Sequence, residues 1–186
     1  VQAVFRQGGL SRWNATVVGK RPGRALSSIS DVTSPPVASG DTLYVGNQSG
    51  RLAALSIGSG KPLWTARSGA ITPVWPAGDS VFVVSDLNEV LRLDASDGSR
   101  IWATPLPNFI KDRPRRQAEV FAHHGPVVAG GRVIVTSGDG VMRSFDPVDG
   151  TLVGTVEIPG GATTAPVVAG GTLYVVSRKG ELLAFR

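Results

Sequence analysis

Apolar and polar positions alternate in short runs along this chain, and turn residues punctuate them. The clearest runs are Thr42 to Val45, Val81 to Val84, Val133 to Thr136 and Leu173 to Val176, rich in β-branched residues. Runs of this length and composition predict strands. Each follows a Pro-initiated segment: Ser-Pro-Pro-Val at Pro36, Thr-Pro-Val at Pro73, Gly-Pro-Val-Val at Pro126 and Ala-Pro-Val-Val at Pro166. Each leads into a turn at Gly50, Asn88, Gly140 or Gly180. Gly and Asn enter left-handed backbone geometry most cheaply, so this choice at one repeated position predicts a hairpin.

The remainder of the unit is as regular. Alternating strands end at Leu55, Leu93, Phe145 and Phe185, second turns follow at Gly58-Ser-Gly, Ser96-Asp-Gly and Val148-Asp-Gly, and a further strand closes at Trp64, Trp102 and Gly154. Four short strands per unit, repeated at about forty residues, is the period of a β-propeller blade. The chain therefore reads as all-β, a propeller of four-stranded antiparallel blades, with about four blades present. Their boundaries fall near 1–18 (partial), 34–67, 72–105, 125–158 and 165–186, with an inserted loop at 106–121.

Both ends fall inside a unit. Val1 to Phe5 and Gly8 to Trp13 match the second half of a blade, and the last unit reaches Arg186 after its third strand. Open strand edges are templates for pairing. The segment from Leu10 to Val18 is therefore expected to supply a fourth strand beside Glu181 to Arg186, within one molecule or between two self-associating copies.

Composition adds bounds. Of 186 residues, 41% are hydrophobic, with 24 Gly and 13 Pro, which suits a turn-rich β fold with a sizeable core. With no Cys, disulfides, thiolate metal sites and cysteine catalysis are excluded. No run approaches the length of a membrane span, and there is no signal-peptide pattern. A net charge of +5 favours anionic surroundings. The cations gather at Lys20, Arg21 and Arg24, and at Lys111, Arg113, Arg115 and Arg116, in segments between blades. Aromatic residues are not interleaved with them, so solvated loops are the expectation rather than a nucleic-acid surface, with membrane headgroups a milder alternative.

Candidate chemistry is sparse. His123 and His124 are adjacent, so on a strand they face opposite ways and cannot share one metal; both read as loop or blade-edge residues. Asp94, Asp97, Asp146 and Asp149 sit beside Gly or Pro turns, where a carboxylate caps backbone amides, and no twelve-residue calcium loop is present. The Ser residues lack a recognised His/Asp signature. Trp64 and Trp102 close equivalent strands and suit packing between blades. Trp75 breaks the pattern and suits either a surface contact or local packing. Neither a metal nor a cofactor is expected.

The consensus Pro-Val-Val-x-Gly-Gly-x-Leu-Tyr-Val, then Gly-x-Leu-x-Ala-Leu, then Gly-x-x-x-Trp resembles the PQQ-like repeat family. Within it, Leu26-Ser-Ser-Ile-Ser-Asp-Val-Thr-Ser-Pro-Pro-Val37 and Lys179-Gly-Glu-Leu-Leu-Ala-Phe-Arg186 are similar to the BamB family, and the loop Leu106 to Gln117 to its α-proteobacterial type. The resemblance covers essentially the whole chain and corresponds to the C-terminal half of an eight-bladed propeller. It implies a non-catalytic scaffold of the outer-membrane β-barrel assembly machinery, lipid-anchored upstream and facing the periplasm. The implied partners are the POTRA domains of BamA and unfolded outer-membrane proteins. Asp31 matches an acidic contact of that family, while Thr33 stands where the motif has its second Asp. On the residues alone, Asp31 could as well cap a loop as meet a partner's cation. The same repeat also occurs in quinoprotein dehydrogenases and in ligand-sensing receptor propellers, which are the alternative readings.

Overall fold

The computed structural model describes residues 1–21, 32–111, 113, 115, 117 and 119–186. It contains seventeen strands and no α-helix among them. A two-stranded hairpin, β1 (Gln2–Val4) and β2 (Ser11–Asn14), comes first. Three four-stranded antiparallel sheets follow: β3 (Val37–Ser39) to β6 (Pro62–Ala66), β7 (Trp75–Ala77) to β10 (Arg100–Pro105), and β11 (His123–Ala129) to β14 (Leu152–Glu157). A three-stranded sheet, β15 (Val167–Ala169), β16 (Thr172–Val176) and β17 (Leu182–Phe185), comes last. Strands neighbour one another in chain order, as in the blades of a propeller.

Apolar cores lie between sheets rather than within them. Tyr44, Leu52 and Trp64 of one sheet cluster with Val81, Val83 and Leu91 of the next. Phe82, Val84 and Val90 meet Val133, Val135 and Phe145, and Met142 and Ile158 meet Leu173 and Val175. Alternation along each strand produces this, because successive side chains face the neighbours on either side.

The turn between the second and third strand of each sheet has a shared mechanism. Asn88 has φ +58°, and Gly50, Gly140 and Gly180 have φ of +85°, +90° and +77°. In three of the four sheets a buried polar side chain precedes the turn and collects its amides, and in the other the Asp139 carboxylate accepts the Val141 N–H. Asn47 Oδ1 accepts from the N–H groups of Ser49 and Arg51, Ser85 Oγ from Leu87 and Glu89, and Ser177 Oγ from Lys179 and Glu181. Buried turn amides thus find partners that the ladder cannot supply. The carboxylates of Asp94, Asp97, Asp146 and Asp149 cap the other turns by accepting the amides two residues on.

The tryptophans join neighbouring sheets by one repeated contact. Trp13, Trp64 and Trp102 donate their indole N–H groups to the carbonyls of Ile57, Ala95 and Pro147, at 2.8, 2.8 and 3.1 Å. Each ring lies on the glycine three residues after its acceptor, where a Cβ at Gly60, Gly98 or Gly150 would overlap the ring. Gly154 occupies the equivalent strand position in the third full sheet.

Two expectations need correction. First, the fourth strands run past their tryptophans, to Ala66 and Pro105, because their backbones continue pairing with β5 (Arg51–Ser56) and β9 (Glu89–Asp94). Second, β2 does not lie beside β17 within the molecule. It pairs with β1, with Ala3 opposite Trp13, and β17 pairs with β16, so that each ends its own sheet. His123 opens β11, an edge strand of its sheet as the sequence suggests; it is buried opposite Ser137 of β12 (Arg132–Ser137), and the register shifts between His124 and Val127.

Candidate partner-binding surface

Connectors entering each sheet and the turns between second and third strands gather on one face, and hydroxyl groups stitch them together. Ser34 Oγ donates to the Thr72 carbonyl at 2.8 Å, Thr72 Oγ1 to the Gly125 carbonyl, and Thr136 Oγ1 to the Thr164 carbonyl at 3.0 Å. Every such bond crosses from one sheet to the next, so the connectors cannot shift independently. A face built this way presents its exposed side chains on a fixed frame.

Of the two residues singled out from the sequence, Asp31 lies outside the described residues. Thr33 is half-buried, and its hydroxyl donates to the Ala70 carbonyl at 3.3 Å. That places it against the connector of the next sheet, one residue from Ile71. Val32 beside it is exposed.

Several apolar side chains on this face were not anticipated from the sequence. Ile71 is 40% exposed, Leu87 37% and Val120 45%. A shallow cavity of about 230 Å³ is lined by Ile71, Val120 and Phe121 together with Thr72, Asn88 and His124. Its wall is the inserted loop, which folds back as a hairpin: Phe109 bridges Val120, Phe121 N–H donates to the Asn108 carbonyl, and Asn88 Nδ2 donates to Asn108 Oδ1 at 2.9 Å. A signal existed in the repeat itself. Leu87 occupies the turn position held by Ser49, Asp139 and Lys179 in the other units, so an apolar residue there is out of pattern. Trp75, at the start of β7, is 38% exposed and its residue pairs with Phe82 across the ladder.

Beneath the same face lies a buried polar network around His123. Its Nε2 is 2.7 Å from the Pro107 carbonyl and its Nδ1 2.6 Å from Ser137 Oγ. A carbonyl can only accept, so Nε2 carries the proton and Nδ1 accepts from the Ser137 hydroxyl. Burial holds the His123 pKa below its ordinary value, and His124 is lowered by burial and by Arg178. Arg143 donates to Ser137 Oγ and pairs with Asp139 at 2.6 Å. Ser137 is fully buried, so its contact with His123 ties β12 to β11, while the His123–Pro107 bond fastens the inserted loop to β11. Among the described residues, no three His, Cys, Asp or Glu side chains come together as a metal site.

The connector face is thus a hydrogen-bonded frame that carries exposed apolar side chains. The family model for the outer membrane protein assembly factor BamB matches residues 1–104 and 113–186. This chain belongs to the BamB family. The BamB of Pseudomonas aeruginosa is 30% identical over 186 residues, covering 100% of this chain and 46% of that protein. The chain spans about half the length of the curated BamB relatives it matches. Among solved structures, BamB from Moraxella catarrhalis superimposes with a TM-score of 0.65 at 22% identity, over 83% of this chain and 46% of that one. The quinohemoprotein alcohol dehydrogenase of Comamonas testosteroni gives a TM-score of 0.64 at 15% identity, over 88% of this chain and 30% of that one. These two likenesses concern the fold alone.

Proposed function

We propose that this chain forms part of a non-catalytic scaffold for outer-membrane β-barrel assembly, acting on the periplasmic side of the outer membrane. Its connector face, from the loop holding Asp31 and Thr33 to Ile71 and Leu87, docks POTRA domains of BamA. The observation that carries the reading is family membership over nearly the whole chain, in a family whose relatives are named assembly factors. One feature of the structure supports it: apolar side chains exposed on a hydrogen-bonded frame. In this reading Asp31 supplies charge, and the apolar residues supply the buried centre that anchors most interfaces.

Calorimetric titration of POTRA domains from the same source into this chain tests the proposal. Saturable binding is expected, weakened about tenfold by Asp31→Ala, in line with an interface contact of about 1 to 2 kcal/mol. Binding untouched by Asp31→Ala and by Leu87→Glu would remove this face from the proposal. A spectral change on adding pyrroloquinoline quinone with calcium would favour the dehydrogenase reading instead.

A further inference from the structure

The segment after β2 runs over the first full sheet and is held at every step. Asn47 Nδ2 donates to the Val17 carbonyl at 2.7 Å, Arg51 Nη1 to the Val18 carbonyl at 2.9 Å, and Gly19 N–H to Ser49 Oγ at 3.1 Å. Close approach explains the glycines: a Cβ at Gly19 would meet the Ser49 carbonyl, and one at Gly50 the Arg21 guanidinium. Arg21 then reaches Asp86 in the second full sheet, at 2.9 Å.

This path walls a cleft of about 700 Å³ between the segment and β6. Lys20, Arg21, Arg51 and Arg67 line it, and among the described residues none that lines it carries a carboxylate. Asp86 balances Arg21 from behind, so the excess positive charge comes from Lys20, Arg51 and Arg67. Arg51 is fixed at the wall by its bond to Val18, and Thr65 adds a hydroxyl. A second cleft shares Thr65, Ala66 and Arg67 and continues to Asp97 and Arg100, whose charges offset one another, so the excess positive charge stays in the first cleft. Like charges gathered at Lys20, Arg51 and Arg67 repel one another, and a bound anion relieves that repulsion. Guanidinium forks and an ammonium placed on a rigid wall match the oxygens of a phosphoryl group.

We propose that this cleft binds phosphoryl groups, either a phosphate ester or the phosphodiester headgroup of an anionic lipid. None of the cleft's lining residues is Ile71 or Leu87, and the proposal does not depend on POTRA docking. The test compares the double variant Lys20→Gln/Arg67→Gln with the charge-matched Lys179→Gln/Arg186→Gln. The first probe is co-sedimentation with vesicles of phosphatidylglycerol in phosphatidylcholine. The second is the amide NMR shifts of Gly19 and Gly50 on titrating inorganic phosphate. Two basic residues near an anionic surface together account for roughly 30-fold in binding. Vesicle binding is therefore expected to fall by that factor in the cleft variant and to change little in the control. Saturable phosphate shifts without vesicle binding would support the cleft and assign it to free phosphate esters. Equal losses in both variants would overturn the proposal in favour of overall charge. Response to neither probe would also overturn it, as would binding of polyglutamate alone in the cleft.

Discussion

Arg21 and Asp86 form an ion pair at 2.9 Å across a full sheet, and the Asp86 side chain is only 2% exposed. The same carboxylate accepts the Gly69 N–H at 2.8 Å, so it ties the segment after β2, the connector to the second full sheet and a turn of that sheet into one unit. Removing the arginine would take a charged partner at 2.9 Å from a buried carboxylate. Arg21→Met is therefore expected to lower stability by about 3 kcal/mol, the low end for breaking a buried pair because the guanidinium is partly exposed. Urea denaturation measures this; a change below about 0.5 kcal/mol, the scale of ordinary surface substitutions, would show that the pair does not hold the sheets together.

The tryptophan contacts make a second prediction. Gly98 has φ +74° and lies beneath the Trp64 ring, so Gly98→Ala combines backbone strain with a steric clash. A loss of roughly 2 to 4 kcal/mol is expected. Gly40 also has positive φ, at +54°, but nothing lies near its missing Cβ. Gly40→Ala should cost about 1 to 2 kcal/mol, from the left-handed backbone alone. Equal losses in thermal unfolding would mean that the ring contact contributes nothing beyond backbone strain.

Stability should also depend on pH through His123. Its pKa is lowered in the folded state, chiefly by burial, so the unfolded chain binds the proton more readily. The stability this group contributes is complete above the unfolded value of about 6.5 and is lost as pH falls through that value towards the lower folded pKa. Asp139 favours protonation while Arg143 and His124 oppose it, so the direction already includes its charged neighbours. Melting temperature followed from pH 8 to pH 5 should decline, and less steeply in His123→Gln. Parallel slopes in both proteins would place the dependence elsewhere.

Ile71 and Leu87 are exposed on the connector face and their side chains have little packing to lose. Ile71→Asp and Leu87→Glu should each change stability by less than about 0.5 kcal/mol, the range of surface substitutions. If POTRA domains dock there, either substitution should weaken binding at least about tenfold, as a buried apolar contact would. Wild-type affinity in both variants would exclude these two side chains from the interface.

Much of this architecture was legible in the residues because a repeat writes the same physical requirement several times. Left-handed turn geometry recurs at Gly50, Asn88, Gly140 and Gly180, and only a few residue types meet it. The spacing from Gly60 to Trp64 recurs from Gly98 to Trp102, which marked those rings as contacts between sheets before their acceptors were known. Strand order and the alternation of faces follow from local pattern as well, since period two survives in each short run.

What lay beyond the residues was whatever depends on contact between distant segments. Nothing in the local sequence tells that Arg21 meets Asp86 or that His123 closes on Pro107 and Ser137, because each pairing is set by how one sheet stacks on the next. That β2 and β17 each end a separate sheet instead of pairing with one another also depends on where distant segments come to lie. The basic cleft arises the same way: Lys20, Arg51 and Arg67 are unremarkable singly, and they become a site only where Gly19 and Gly50 let the backbone pass closely enough to bring them together. Local periodicity determined the blades of this protein, and long-range packing decided which of their charges and apolar side chains share a surface.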